Sequence, residues 1–259
     1  MIDAKDSFSC TCPHCGKDFV LEQKGLILSA MDLEAKMALL DFSFYTRECP
    51  HCHRNFAALY PLHYLDGKFS NLVRLTGNEE QDKVFPKLEV PGINAYLVRT
   101  AEAMREIILA LDYELDPIKL QFFKWAYYVS LRTVQEQNQK NKMQDRSHSE
   151  DEDRDQSSVL SDGAIDILPD ISTLDYLYLT MNPKEDSEAS LAMEAAVGDE
   201  RYLLPIYKDA YDKFADVYFR EDIFKSASSN DENDFFKEVD WKMGSDAIEM
   251  LRVHGEKKH

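Results

Sequence analysis

Two cysteine pairs of identical make, Cys12-Pro13-His14-Cys15 and Cys49-Pro50-His51-Cys52, constrain this chain more than any other feature. Two residues between thiols let one tight turn present both sulfurs to the same side, with backbone N–H groups pointing at them. Two such turns supply four thiolates, which is enough to close a tetrahedral metal shell. Pro13 and Pro50 restrict the turn backbone, and Gly16 gives it freedom just past the second sulfur. The expectation is one structural zinc ion held by Cys12, Cys15, Cys49 and Cys52, with binding coupled to folding of the surrounding piece. Four thiolates suit iron as well, so the pattern defines a site more firmly than it names the element.

Other uses of these cysteines fit less well. A redox C-x-x-C is expected beside a βαβ pattern, and two near-identical copies are unusual for it. A catalytic zinc keeps one position open on three protein ligands, whereas four cysteines leave none. Cys10 is the fifth cysteine. Cys10-Thr11-Cys12 offers an alternative ligand, but the spacing is poor for a knuckle, and Cys10 reads as a spare thiol in or beside the ribbon. His14 and His51 lie inside the knuckles, where side chains face solvent, and His53 just beyond the second pair could swap in as a ligand.

Compartment and charge narrow the choice further. Met1 to Asp6 carries acids where a signal peptide needs bases, and no apolar run follows, so the expected location is the cytoplasm. A reducing cytosol favours a metal site over disulfides. No apolar stretch is long enough to cross a bilayer. The net charge of −18 opposes broad binding to nucleic acid or anionic membranes, although the excess acid is concentrated after Asp145 and residues 1–78 are close to balanced.

Along the chain, Phe19-Val20-Leu21 and Phe56-Ala57-Ala58-Leu59-Tyr60 read as strands leaving the knuckles. Ser29-x-x-Asp32 suggests a capping signal for a short helix from Ala30 to Leu40, with Leu33, Met37 and Leu40 on its apolar face. Leu97, Ala101, Met104, Ile108 and Leu111 follow helical spacing. Asp116-Pro117 restarts a helix whose apolar face is Ile118, Phe122, Trp125 and Val129. The aromatic run Phe122, Phe123, Trp125, Tyr127, Tyr128 is too continuous for one face, so part of it should pack on the third piece of the chain or on a partner. From Gln135 to Ser161 the chain is polar and charged and cannot offset the entropy of ordering itself. Leu174–Met181, Ser190–Val197 and Tyr202–Tyr207 read as strands, Lys208–Phe219 as a helix, Phe235–Val239 as a strand and Trp241–Val253 as a closing helix. The fold class is α+β. It comprises an N-terminal zinc-ribbon-like β module with a short inserted helix over 1–80, a helical hairpin over 81–135, an acidic linker without order of its own over 136–162, and a small α+β region over 163–259.

The two knuckles resemble those of the CpXC proteins of bacteria and archaea. The likeness continues in Tyr60-Pro61-Leu62-His63-Tyr64-Leu65-Asp66-Gly67-Lys68, in Tyr96-Leu97-Val98-Arg99 and in Arg105-Glu106-Ile107-Ile108, with a fainter echo at Val239-Asp240-Trp241. It is specific over roughly the first 130 residues. The resemblance implies a zinc-ribbon-like module joined to a helical and α+β remainder, and it supplies no activity. One departure is Cys52-His53, where the family pattern has a glycine, so that turn is expected to be strained or to expose an additional ligand.

Other chemistry is sparse. His63 and Asp66 would make an acid–base pair if their segment turned to face them together; the plainer reading is a strand with Tyr60 and Tyr64 buried, ending in an Asp66-Gly67 hairpin turn. No phosphate-cradling glycine loop, H-E-x-x-H or G-x-S-x-G occurs. The expected function is a non-enzymatic, cytosolic zinc-binding protein whose ribbon is a structural or protein-interaction module, with a protein partner. The alternative is a nucleic-acid-reading ribbon that uses Lys17, Lys24, Arg47, Arg54, Lys68 and Arg74.

Overall fold

The computed structural model describes residues 5–148, 176–181, 191–197, 199–218 and 237–238. Both helices and strands are well represented, and the class is α+β as the sequence pattern implied. The chain forms two compact units, one of residues Met1–Ile118 with Lys225–Asp240, the other of Lys119–Phe224 with Trp241–His259.

The first unit begins with two antiparallel hairpins. β1 (Lys5–Thr11) pairs with β2 (Asp18–Lys24), ending in the register Thr11↔Asp18, and β4 (Thr46–Glu48) pairs with β5 (Asn55–Ala57), ending in Glu48↔Asn55. Each hairpin therefore carries one cysteine knuckle as its turn. Between them lie β3 (Leu26–Leu28), helix α1 (Leu33–Leu40) and a single 3-10 turn, Ser43–Tyr45.

β3 joins a mixed five-stranded sheet with β6 (Leu62–Leu65), β7 (Asn71–Leu75), β8 (Asn94–Val98) and β12 (Lys237–Glu238), in the order β12-β8-β7-β6-β3. Only β6–β7 is antiparallel; β3–β6, β7–β8 and β8–β12 are parallel. Helix α2 (Glu79–Val84) lies in the β7–β8 connection, capped by Asn78, whose side chain accepts the Gln81 N–H. The sheet takes strands from both sides of the boundary expected at residue 80. Its core has two sides: Leu62, Tyr64, Val73, Leu75 and Val98 with Met104, Ile107 and Ile108 of α3 (Ala101–Asp112) on one face, and Leu72 with Ala95 on the other, all buried. Burial of so many apolar side chains is the main favourable term holding this unit together.

Two helix expectations need correction. The first helix starts at Leu33, and its cap is Asp32, which accepts the Ala35 N–H at 3.0 Å; Ser29 is not the cap. Leu33 and Met37 are exposed and Leu40 half-buried, while Ala35 and Leu39 face inward. The helix is apolar almost all round, so periodicity alone could not choose its face. Lys36 is paired with Asp112 of α3 at 2.6 Å, in keeping with that rotation. The second correction concerns Leu97, which is in β8 opposite Arg74 and is not helical. The helix begins after Thr100, whose hydroxyl accepts the Ala103 N–H at 3.1 Å.

In the second unit, helix α4 runs Pro117–His148, so helical backbone extends beyond the expected limit at residue 135. The rest of the expected linker, 149–162, lies outside the described residues, as does the expected helix at 241–253. β9 (Tyr176–Met181), β10 (Leu191–Val197) and β11 (Glu200–Ile206) form an antiparallel meander, followed by α5 (Lys208–Tyr218), close to the expected elements. Phe123 packs edge-on to Tyr211 and Phe214 of α5, with ring centroids 5.5 and 5.3 Å apart, so part of the aromatic run does cover the third piece. Val129 is exposed and is not part of the buried face expected for α4.

Candidate metal centre

The two knuckles repeat the same backbone scheme. In the first, Cys12 N–H donates to the Lys17 carbonyl and Gly16 N–H to the Cys12 carbonyl, at 3.0 and 2.9 Å. In the second, Cys49 N–H donates to the Arg54 carbonyl and His53 N–H to the Cys49 carbonyl, at 3.0 and 2.9 Å. The scheme requires a left-handed residue after the second cysteine. Gly16 provides it at φ +69°, and His53 is forced into it at φ +57°. The strain expected from the missing glycine is therefore present.

The thiols are also served alike. His14 N–H lies 3.4 Å from Cys12 Sγ, and His51 N–H lies 3.4 Å from Cys49 Sγ. The N–H groups of Lys17 and Arg54 point at Cys15 and Cys52. Oriented donors of this kind stabilise negative sulfur.

Across the hairpins, Cys12 Sγ is 3.8 Å from Cys52 Sγ and Cys15 Sγ is 3.7 Å from Cys49 Sγ, and all four sulfurs lie within 4.8 Å of one another. A regular tetrahedron with metal–sulfur bonds of about 2.3 Å has edges of about 3.8 Å. The same separations are nearly twice the disulfide bond length of about 2.0 Å. The four cysteines thus form a cluster of the right size to hold a metal ion.

Electrostatics agree with the geometry. Loss of hydration pushes the Cys49 thiol up, but the N–H donors of Cys52 and His51 and the neighbouring thiols outweigh it and bring it down to about 6. The Lys17 N–H favours the Cys15 thiolate, yet lost hydration and its three thiol neighbours push it up to about 11. Cys52 is likewise held above its ordinary value: the Arg54 N–H favours its thiolate, but lost hydration and the Cys49 and Cys12 thiols outweigh it. Once Cys49 carries charge, its companions resist ionising. A cation at the centre would relieve that repulsion.

The remaining candidates fall outside the cluster. Cys10 is half-buried on β1 opposite Phe19; its sulfur lies 4.0 Å from the Thr11 carbonyl, and burial and then the nearby Cys12 and Cys49 thiols push it up. His53 Nδ1 pairs with Glu48 Oε1 at 2.8 Å, on the hairpin's outer side. His63 and Asp66 do not form a pair. His63 is buried on β6 and stacks on Phe85 at 4.7 Å, while Asp66 organises the β6–β7 turn by accepting the N–H groups of Ser70 and Asn71 at 2.8 and 3.0 Å. That turn is the hairpin expected from Asp66-Gly67.

Sequence reasoning missed a network on β7–β8. Arg74 is 2% exposed and donates to the Asp82 and Phe85 carbonyls, and Asp82 is shared with Thr76 and Arg99. No local motif announces it, because its members come from two strands and a helix.

Residues 10–124 match the family model described as CpXC protein, which bears out the resemblance over the N-terminal part of the chain. No curated protein and no solved structure matches the chain.

Proposed function

With residues 10–124 a CpXC module as premise, we propose that the chain is a zinc-binding protein in which Cys12, Cys15, Cys49 and Cys52 hold one structural ion. The observation that carries this reading is the pair of sulfur separations, 3.8 and 3.7 Å, which match a tetrahedral thiolate shell. The ion would cross-link the two hairpins. With all four positions taken by sulfur, it has no site for water or substrate, so its contribution is to folding and not to catalysis. The whole protein is a non-enzymatic, cytoplasmic interaction module; among the described residues no helix is long and apolar enough to cross a membrane.

A protein partner is preferred to nucleic acid because of where the cations lie. Arg74 is buried, Lys24 is paired with Asp32, and Lys68 is paired with Glu114. Arg47 lies over the rings of Phe44 and Tyr60. Lys24 and Lys68 are themselves exposed, but each has an acid at ion-pair distance, and with Lys17 and Arg54 exposed on the knuckles the six make a weak footprint for a polyanion.

Elemental analysis of the full chain purified under reducing conditions tests the metal. One zinc per chain, lost in Cys12→Ser and in Cys49→Ser, is expected. Protein free of metal, or carrying iron, would sink the zinc assignment. A pull-down from the native host should recover a protein, and a salt-dependent gel shift with the full chain should show no complex with nucleic acid.

A further inference from the structure

Each knuckle histidine reaches over to the hairpin that carries the other knuckle. The ring of His14, between Cys12 and Cys15, donates from Nε2 to the Asn55 carbonyl at 3.2 Å. Asn55 opens β5, the strand leaving the second knuckle. The ring of His51, between Cys49 and Cys52, meets Phe19 edge-on with centroids 6.4 Å apart at 78°. Phe19 lies on β2, the strand leaving the first knuckle. Between the two clasps, Phe19 and Phe56, each four positions past the last cysteine of its knuckle, meet edge-on at 6.0 Å and 89°. This separation is within the range at which edge-to-face aromatic pairs attract.

The same two histidines supply the backbone N–H groups that face Cys12 and Cys49. Each is therefore a junction: the main chain touches a sulfur of its own knuckle, and the ring is anchored to the opposite hairpin. A ring fixed at its tip restricts the peptide that carries it, which keeps the N–H aimed at the sulfur. It also means that one hairpin cannot swing away from the ion alone without breaking a contact to the other. Dissociation of a metal from two bidentate arms starts with one arm leaving, so contacts between the arms act on the release rate.

We propose that His14 and His51 are positioning residues that clasp the two hairpins together and slow metal release from the four-cysteine cluster. The inference rests on the metal reading above. It needs no participation of either ring as a ligand. His14 and His51 are exposed, and the four sulfurs complete the shell without them.

The test is transfer of metal from the full chain to a colorimetric zinc chelator in excess, followed by absorbance, with metal content per chain measured first. Wild type, His14→Ala, His14→Gln and His51→Ala are compared. His14→Ala should keep one metal per chain and release it about five-fold faster, the effect expected for loss of one net hydrogen bond. His14→Gln places an amide donor where the imidazole Nε2 lies, and should bring the rate back to within about two-fold of wild type. His51→Ala should accelerate release to a similar extent. The thermal transition of the five-stranded sheet should not move in any of them, which separates positioning from a general structural role. Unchanged release in His14→Ala at full metal content overturns the clasp while leaving the metal site standing, as does a His14→Gln rate equal to that of alanine. Wild-type protein without metal overturns the metal reading, and the clasp with it.

Discussion

Arg99 Nη1 donates to Asp82 Oδ2 at 2.7 Å, and through that contact one carboxylate serves two guanidinium groups. Asp82 Oδ1 accepts the Thr76 hydroxyl at 2.6 Å and lies 3.9 Å from Arg74 Nη1. Burial pushes the Asp82 carboxyl up, but Thr76 and the two arginines outweigh this and hold it below the usual carboxylate range. Arg74 keeps its two carbonyl acceptors whatever happens to the carboxylate, so the cost of removing the charge is mainly electrostatic. Asp82→Asn, which preserves shape and the acceptor for Thr76, should lower unfolding stability by about 2 kcal/mol, somewhat less than for a fully buried pair. A urea titration reads this as a lower midpoint with an unchanged slope. An unchanged midpoint would mean that the carbonyls alone satisfy Arg74.

His63 gives the protein a pH dependence of known sign. Burial, and then Arg74 nearby, push its imidazole down to about 4. In an unfolded chain the group titrates at about 6.5. Above pH 6.5 both states hold the neutral ring and nothing is lost. Below it the unfolded chain gains a proton that the folded protein refuses, so stability falls between about pH 6.5 and 4, by up to about 3 kcal/mol. His63→Phe retains a ring for the stack on Phe85 and removes the titration. Denaturation midpoints between pH 5 and 7 should slope for wild type and lie nearly flat for the variant; parallel slopes would assign the effect to other groups.

The cysteine cluster was legible because its information is local: two sulfurs per turn and two turns, with the sulfur geometry following from backbone hydrogen bonds within six residues. The strand leaving each knuckle followed for the same reason, though β5 is Asn55–Ala57 and stops short of Tyr60, and the partner strands β1 and β4 were not read. What could not be read depended on partners distant in sequence. Leu97 belongs to a strand because β7 offers it a neighbour at Arg74, and no periodicity within its own segment carries that fact. Leu33 and Met37 face out because α1 turns Ala35 and Leu39 inward, on the side where Lys36 reaches Asp112 of α3, seventy-six positions away. The His63–Asp66 pairing failed on register: the turn uses the Asp66 carboxylate for Ser70 and Asn71 before any histidine can compete.

His53 occupies the position that Gly16 fills in the first knuckle, at φ +57° against φ +69°. A side chain in that conformation costs roughly 1–2 kcal/mol. Its compensation is the contact with Glu48, but both side chains are largely exposed and such pairs contribute little. His53→Gly should therefore raise the stability of the metal-loaded module by about 1 kcal/mol, less a few tenths for the added freedom of the unfolded chain. Metal content should stay the same, because the four sulfurs and their N–H donors are untouched. Loss of metal in this variant would instead show that the His53 ring takes part in holding the ion.

Metal removal should uncouple the hairpins from the sheet. β4–β5 pairs over only three positions, too short to persist alone, and β1–β2 is a two-stranded ribbon with exposed side chains such as Val20 on its surface. The sheet has its own core, with Leu62, Val73, Leu75 and Val98 on the face toward α3 and Leu72 with Ala95 on the other, and no thiol belongs to it. Both hairpins reach the buried ring of Tyr60: Phe8 of β1 stacks on it at 4.9 Å, its hydroxyl donates to Gln23 Oε1 of β2 at 2.9 Å, and Arg47 of β4 lies over it. Deuterium uptake after chelation, measured against the loaded protein, should consequently be graded. Amides at residues 10–19 and 48–56 should exchange fastest, those near Phe8 and Gln23 more slowly, and those of β6, β7, β8 and α3 hardly more than before. Equal loss of protection in β7 would show that the metal holds up the whole unit, and no loss at the knuckles would show that the hairpins stand without it.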